Sequence, residues 1–141
     1  MNAMNQLIAL RSIGGAVRTP GLGDSVIRRF VDRDPVLASA IADAVAARER
    51  LQDEFPQLLA ADESDQIHAL LDGIVNFYAD DQVNPYVALA ARGPWIVTAK
   101  GAVLHDNGGY GMLGFGHAPE QVLAAMNGRQ VMANVMTASF S

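Results

Sequence analysis

The stretch GPWIVTAKGAVLHDNGGYGMLGFGHAPEQVLAAMNGRQ, from Gly93 to Gln130, decides the fold of this chain. It begins with two short β-type runs, at 95–98 and 102–105. The segment Ala99-Lys100-Gly101 between them carries the glycine that a hairpin reversal favours. The stretch therefore predicts one antiparallel hairpin at 95–105.

A glycine-rich loop and a helix follow the hairpin. Five glycines fall between Asn107 and Gly116, more backbone freedom than a simple connection needs, which indicates a loop that fits closely around another group. Pro119 suits the first turn of a helix. We therefore predict a helix at 119–126.

Hydrophobic periodicity predicts helices before the hairpin. Apolar residues recur at helical spacing in 36–55, where Pro56 ends the pattern. A second helix is predicted at 64–79, with one apolar stripe made of Ile67, Leu70, Leu71, Ile74, Val75 and Tyr78. Glycines and prolines between Gly14 and Gly23 predict an irregular N-terminal arm, and Asn84-Pro85 marks a linker into the hairpin.

These elements predict an α+β fold in two parts. Residues 1–85 form an N-terminal arm and helical extension, and residues 86–141 form the hairpin, loop and helix. With 141 residues, half of them hydrophobic, the chain can bury a core and is too apolar to be intrinsically disordered.

Charge and composition exclude several classes of function. The net charge is −5, and no lysine or arginine lies between Arg50 and Arg92, so this acidic region would repel phosphates and we exclude nucleic acid as the main partner. The acidic region itself is most simply a solvated helix face, and the alternative is a binding surface for a basic partner. No apolar run is long enough to span a membrane. The absence of cysteine fits a reducing compartment, so a cytoplasmic location is expected.

The ordered motifs of the last third of the chain resemble the N-terminal segment of the class III, fold type I, pyridoxal-phosphate-dependent aminotransferases. That family has an arginine-glycine before a strand, a hairpin, a strand ending in an aspartate, a glycine-rich loop, a Gly-His pair with a proline, and a helix. The matching positions here are Arg92-Gly93, Lys100-Gly101, Leu104 with Asp106, the Gly108 to Gly114 loop, Gly116-His117, Pro119, Ala125 and Gln130.

The resemblance implies a transferase whose cofactor is held elsewhere. Such an enzyme needs a Schiff-base lysine, an aspartate on the pyridine nitrogen and a phosphate cup, which the family takes from a large domain that follows this segment. The single lysine, Lys100, falls in the hairpin turn at a position that varies in the family. The uncharged run Val131 to Ser141 reads as a cut end. We therefore expect an N-terminal piece of a homodimeric enzyme, inactive alone, with pyridoxal phosphate bound only in the complete enzyme.

The resemblance also implies substrate-binding residues. The family's glycine loop lies at the mouth of the active site, often across the dimer interface, where an aromatic residue can touch the substrate. Here that loop contains Gly109, Tyr110 and Gly111, and Phe140 falls where the family approaches the pocket again. Tyr110 offers an apolar face and one hydroxyl to a substrate, or it packs over its own glycines. His117 is expected to anchor the loop by bonding backbone groups.

Two other candidate motifs, a dinucleotide-binding fingerprint and a zinc site, lack residues that their function requires. The segment 109–114 matches the letters of a dinucleotide fingerprint, but His117 and Pro119 intervene before the helix and no acidic residue follows at the required distance. His68 and Asp72 supply two ligands where zinc needs three or four, so no metal site is predicted. We assign no catalytic residue to this chain. The alternative function is a non-catalytic protein-interaction module, and a large lysine-bearing domain in the reading frame beyond Ser141 would distinguish the two.

Overall fold

The computed structural model describes residues 2–75, 85–107 and 114–127, together with the backbone of two short strands at 133–134 and 139–140. Within these ranges the fold is α+β, as predicted. The helices are α1 (Ala3–Arg11), α2 (Asp24–Val31), α3 (Pro35–Gln52), α4 (Pro56–Ala60), α5 (Glu63–Leu71) and α6 (Glu120–Met126). The strands are β1 (Ala88–Arg92), β2 (Trp95–Thr98), β3 (Val103–His105), β4 (Ala133–Asn134) and β5 (Ser139–Phe140).

The predicted hairpin is confirmed. β2 pairs antiparallel with β3, with Ile96 opposite Leu104. The turn closes when the Gly101 N–H donates to the Thr98 carbonyl at 2.9 Å, and Gly101 has a φ of 70°. A positive φ after a tight turn is the bulge geometry that glycine adopts without strain.

A third strand joins the hairpin between the predicted linker at Asn84-Pro85 and Trp95, in a segment where the sequence predicted no helix or strand. β1 pairs antiparallel with β2, with Ala91 opposite Ile96 and Arg92 opposite Trp95. Alanine has a weak preference for strands, so the composition of β1 gave no local signal. The pairing with β2 makes it a strand.

The long helix predicted at 36–55 is confirmed as α3, but its boundaries differ from the prediction. Asp34 caps α3 by accepting the Val36 N–H at 2.9 Å, and Pro35 occupies the first helical position. The helix ends at Gln52, and Pro56 begins α4. The N-terminal arm also contains a helix, α1, capped by Asn2. The prediction of an irregular arm was therefore wrong for residues 3–11.

The predicted helix at 64–79 is wrong in length and in orientation. α5 ends at Leu71. Its buried residues are Glu63 and Gln66, whereas Leu70 and Ile74 are 49% and 61% exposed. Val75 is exposed as well, and Tyr78 lies outside the described residues. Specific polar bonds, described below, hold the polar side of α5 inward.

One hydrophobic core joins the N-terminal helices to the sheet. α3 packs across β1 and β2, and α1 packs against α3. The core contains Met4, Leu7, Leu10, Ile27, Leu37, Ala40, Ile41, Ala44, Trp95, Val97 and Val103. The helices before residue 85 thus support the hairpin directly. None of the helices in the described ranges has the length and apolar character to cross a lipid bilayer.

Candidate functional site

The base of the glycine loop is closed by a backbone bridge between Gly93 and His117. The Gly93 N–H donates to the His117 carbonyl at 2.9 Å, and the His117 N–H donates to the Gly93 carbonyl at 2.8 Å. Gly116 has a φ of 69°, and a Cβ there would lie 2.8 Å from Gly93 Cα. Glycine is therefore required beside the bridge.

The side chains of Asp106 and His117 meet at this base. Asp106 follows β3, and its N–H donates to the Pro94 carbonyl at 2.7 Å. His117 Nε2 lies 2.9 Å from Asp106 Oδ2. An ionised carboxylate only accepts hydrogen bonds, so Nε2 carries the proton, and the contact fixes the ring and its tautomer. The residues that flank the glycine loop are thus tied together by backbone and by side chain.

Arg92 connects this base to α3 and α6. Its Nε donates to Asp43 on α3, and its Nη1 donates to Glu120, at the start of α6, at 2.8 Å. The hydrogen bond that Arg92 donates to Asp43, and then the one it donates to Glu120, raise the pKa of Arg92 above its ordinary value. Because two carboxylates already hold it, the guanidinium positions α6 and is a poor candidate for binding a substrate anion.

An aromatic contact fixes the first strand of the hairpin. Trp95 is buried, and its Nε1–H donates to Asp34 Oδ2 at 2.7 Å. Its ring meets Phe30 and His105 edge to face, with centroids 5.2 and 4.7 Å apart. Strand β2, which begins two residues after Gly93 at the base of the glycine loop, is therefore bonded to Asp34, the residue that caps α3.

Lys100 does not fit the Schiff-base lysine that pyridoxal phosphate requires. Its side chain is only 4% exposed. The ammonium group donates to the carbonyls of Gly14 at 2.8 Å, of Leu59 at 3.1 Å, and of Ala61. Desolvation lowers the pKa of Lys100, while Asp62 and Glu63 oppose the shift. An amine held by three carbonyls inside the protein has no access to an aldehyde, so Lys100 has a structural role.

Glu63 completes the arrangement around Lys100 and departs from the predicted solvated face, whereas the other described carboxylates of the acidic region are exposed: Asp53, Glu54, Asp62, Asp65 and Asp72. It is 1% exposed, and its Oε2 accepts the N–H groups of Arg18 at 2.6 Å and Thr19 at 2.7 Å. Asp62 accepts the Ala16 N–H at 2.7 Å. These bonds tie the loop after α1 to the start of α5, which explains why α5 buries its polar side.

The substrate-binding residues predicted from the resemblance are mostly outside the described part of the chain. Gly109, Tyr110 and Gly111 are outside the described residues. Phe140 belongs to β5, where its backbone pairs with Ala133. His68 is exposed on α5. In the described ranges no three His, Asp or Glu residues are placed to hold a metal ion.

Sequence reasoning did not find two of these arrangements. The pairing of Asp106 with His117 joins positions eleven apart. The sequence predicted that His117 anchors the loop through backbone groups, whereas its ring contacts the Asp106 carboxylate, and Asp106 was noted only as a member of a motif. The burial of Lys100 had one local signal, because the lysine stands between alanine and glycine with apolar strands on both sides. Its carbonyl partners come from distant loops and could not be read from the sequence.

Comparison of the chain with protein-family models, curated proteins and solved structures gives no match. The resemblance to aminotransferases therefore rests on the motif residues alone.

Proposed function

We propose that this chain forms the N-terminal segment of a class III pyridoxal-phosphate-dependent aminotransferase and is inactive alone. The observation that carries the proposal is the contact between Asp106 and His117 at 2.9 Å. Both are motif positions, and their contact closes a glycine loop between a hairpin and a helix, in the order that the family has. A loop held at its base by fixed contacts can present side chains in a defined geometry.

The chemistry of amino-group transfer then belongs to the rest of the enzyme. Pyridoxal phosphate supplies the electron sink, and the buried Lys100 is not available to bind it. The role of this chain is to shape the substrate pocket and the interface with a second subunit. In the complete enzyme, Tyr110 would contact the carbon chain of the substrate, and Phe140 would line the pocket. We place the enzyme in the cytoplasm because the chain has no cysteine.

The test compares the 141-residue chain with the product of the reading frame that extends beyond Ser141. The short chain should show no Schiff-base absorbance with pyridoxal phosphate and no transaminase turnover, and the extended product should show both. In the extended enzyme, Tyr110→Ala should raise KM for the amino substrate, while Tyr86→Ala, outside the loop, should not. Stoichiometric Schiff-base formation by the short chain that is lost in Lys100→Ala would refute the proposal, as would a reading frame without a lysine-bearing domain.

The alternative is a non-catalytic interaction module, and exposed apolar residues favour it as the second candidate. Leu70, Ile74 and Val75 are exposed at the end of α5, and Leu123 and Met126 on α6 are about half exposed. Apolar patches of this kind mark interfaces. An extended reading frame that contains no catalytic domain would favour the module.

A further inference from the structure

The sequence contains two Asn-Gly pairs, Asn107-Gly108 and Asn127-Gly128. In such a pair the backbone nitrogen of the glycine can attack the side-chain amide of the asparagine, because glycine has no Cβ to block the approach. Both asparagines are exposed to solvent. The two sites therefore share their local sequence, and only their surroundings in the fold distinguish them.

Asn107 lies at the start of the glycine loop, beside a histidine side chain. His105 is the last residue of β3, and its Nδ1 contacts the amide oxygen of Asn107. An amide oxygen only accepts hydrogen bonds, so Nδ1 carries the proton and donates it. A donor on this oxygen makes the carbonyl carbon more electrophilic and stabilises the negative charge that develops on the oxygen when a nucleophile adds.

The fold holds this donor in place. The His105 ring packs edge to face against the buried Trp95, with centroids 4.7 Å apart, and the two residues are opposite each other in the pairing of β2 with β3. Between His105 and Asn107, the N–H of Asp106 donates to the Pro94 carbonyl at 2.7 Å. The imidazole and the backbone that leads into Asn107 are thus both fixed.

Asn127 is held differently, in the last turn of α6. It caps the helix with a φ of −80° and a ψ of −2°, and its N–H donates to the Leu123 carbonyl at 3.1 Å. To close a ring between its side chain and the next backbone nitrogen, Asn127 must rotate out of this helical conformation. Among the described residues, no histidine bonds to its amide. Asn127 is therefore an internal control for Asn107.

We propose that Asn107 is a site of spontaneous deamidation and that His105 promotes the reaction. The Gly108 nitrogen forms a bond to Cγ of Asn107 and passes its proton to water. The bond between Cγ and Nδ2 breaks, and Nδ2 takes up a proton and leaves as ammonia, which gives a five-membered succinimide. Water then opens this ring at either carbonyl carbon, so the product is aspartate or isoaspartate. No step oxidises or reduces the chain.

The modification changes the base of the glycine loop. An aspartate product adds a negative charge beside His105, and an isoaspartate product adds Cβ to the main chain. Asp106, the preceding residue, bonds the ring of His117, so either product lies next to the contact that closes the loop. An effect on a substrate pocket rests on the proposed function. The deamidation itself needs only the contact between His105 and Asn107, and its test does not involve transaminase activity.

The test follows deamidation of the full 141-residue chain over time at neutral pH, by mass spectrometry of its peptides. Trypsin releases both asparagines on the peptide 101–129, because no lysine or arginine lies between Lys100 and Arg129, and fragmentation assigns each site. In the folded chain Asn107 should deamidate about tenfold faster than Asn127. This is less than the roughly 10²–10³ that a donor contributes in a buried oxyanion hole, because His105 is exposed. In urea, where the fold is lost, the two rates should become similar.

Three variants identify the cause. His105→Phe keeps an aromatic ring and removes the donor, so it should lower the rate at Asn107 about tenfold and leave the rate at Asn127 unchanged. His68→Phe, at an exposed position on α5, should change neither rate. Gly108→Ala adds a Cβ beside the attacking nitrogen and should slow the reaction at Asn107 both in the folded chain and in urea. Equal rates at the two asparagines of the folded wild type, or a rate at Asn107 that His105→Phe does not lower, would overturn the proposal.

Discussion

Replacing Lys100 by methionine tests whether the buried ammonium group stabilises the fold. The Nζ atom joins three segments of the chain, since it donates to the carbonyls of Gly14 after α1, Leu59 in α4 and Ala61 before α5. Methionine keeps an unbranched apolar chain of similar length and removes all three donated bonds. The variant therefore isolates the ammonium group.

The expected loss follows from the three carbonyls. A bond donated by a charged group contributes about 1.5–3 kcal/mol, so three give about 4.5–9 kcal/mol. Two of the carbonyls keep other partners without the ammonium group, because the Leu59 carbonyl also accepts a bond from Gln66 Nε2 at 3.1 Å and Gly14 is exposed to water. Removing the ammonium group also removes its own desolvation cost, which amounts to several kcal/mol. We therefore expect Lys100→Met to lower the free energy of unfolding by about 3 kcal/mol.

Trp95 provides the signal for this measurement. It is the only tryptophan, and it is buried, so its fluorescence reports unfolding of the core in urea. Lys100→Met should shift the midpoint to lower urea with little change in slope. Arg18→Met removes a cation from an exposed side chain and leaves the backbone bond to Glu63 in place, so it should change stability by less than about 0.5 kcal/mol. A loss below about 1 kcal/mol in Lys100→Met would mean that the three bonds stabilise the fold no more than one ordinary bond does.

Three further predictions concern the glycines beside Lys100 and beside the Gly93–His117 bridge, and the pKa of Lys100. Gly15→Ala should destabilise the fold by at least about 2 kcal/mol more than Gly14→Ala. Both residues have a positive φ, but only at Gly15 would a Cβ lie 2.6 Å from Lys100 Nζ; equal losses in urea would contradict this reason. Gly116→Ala should break the bridge to the hairpin and speed amide exchange there, while Gly114→Ala, with open space around its Cβ, should not; unchanged exchange in both would show that the bridge tolerates a side chain. Burial lowers the pKa of Lys100 below 10.5, so between the lowered pKa and 10.5 the unfolded chain binds more protons than the folded chain. The free energy of unfolding of the wild type, relative to that of Lys100→Met, should therefore increase with pH in this window. A relative stability that decreases with pH would mean that folding raises this pKa.

The sequence determined the elements whose signals are local. The hairpin was predictable because β-type runs flank a turn that places Gly101 where φ is positive. The helix α3 was predictable because its apolar residues recur at helical spacing and a proline begins the next segment. The helix α6 was predictable from Pro119 and the apolar residues after it. Each of these signals lies within about ten residues of the element that it specifies.

The tertiary structure decided what depends on distant partners. The alanine-rich segment β1 is a strand because its backbone pairs with β2. Glu63 at the start of α5 is buried because the backbone N–H groups of Arg18 and Thr19 donate two hydrogen bonds to it. Asp106 meets His117 because the bridge to Gly93 brings the ends of the loop together. Hydrophobic periodicity describes the average preference of a helix for one buried side, whereas a buried charge is stabilised only by particular donors and acceptors. Those partners are set by the path of the whole chain, and this is why the sequence alone predicted neither the burial of Lys100 nor that of Glu63.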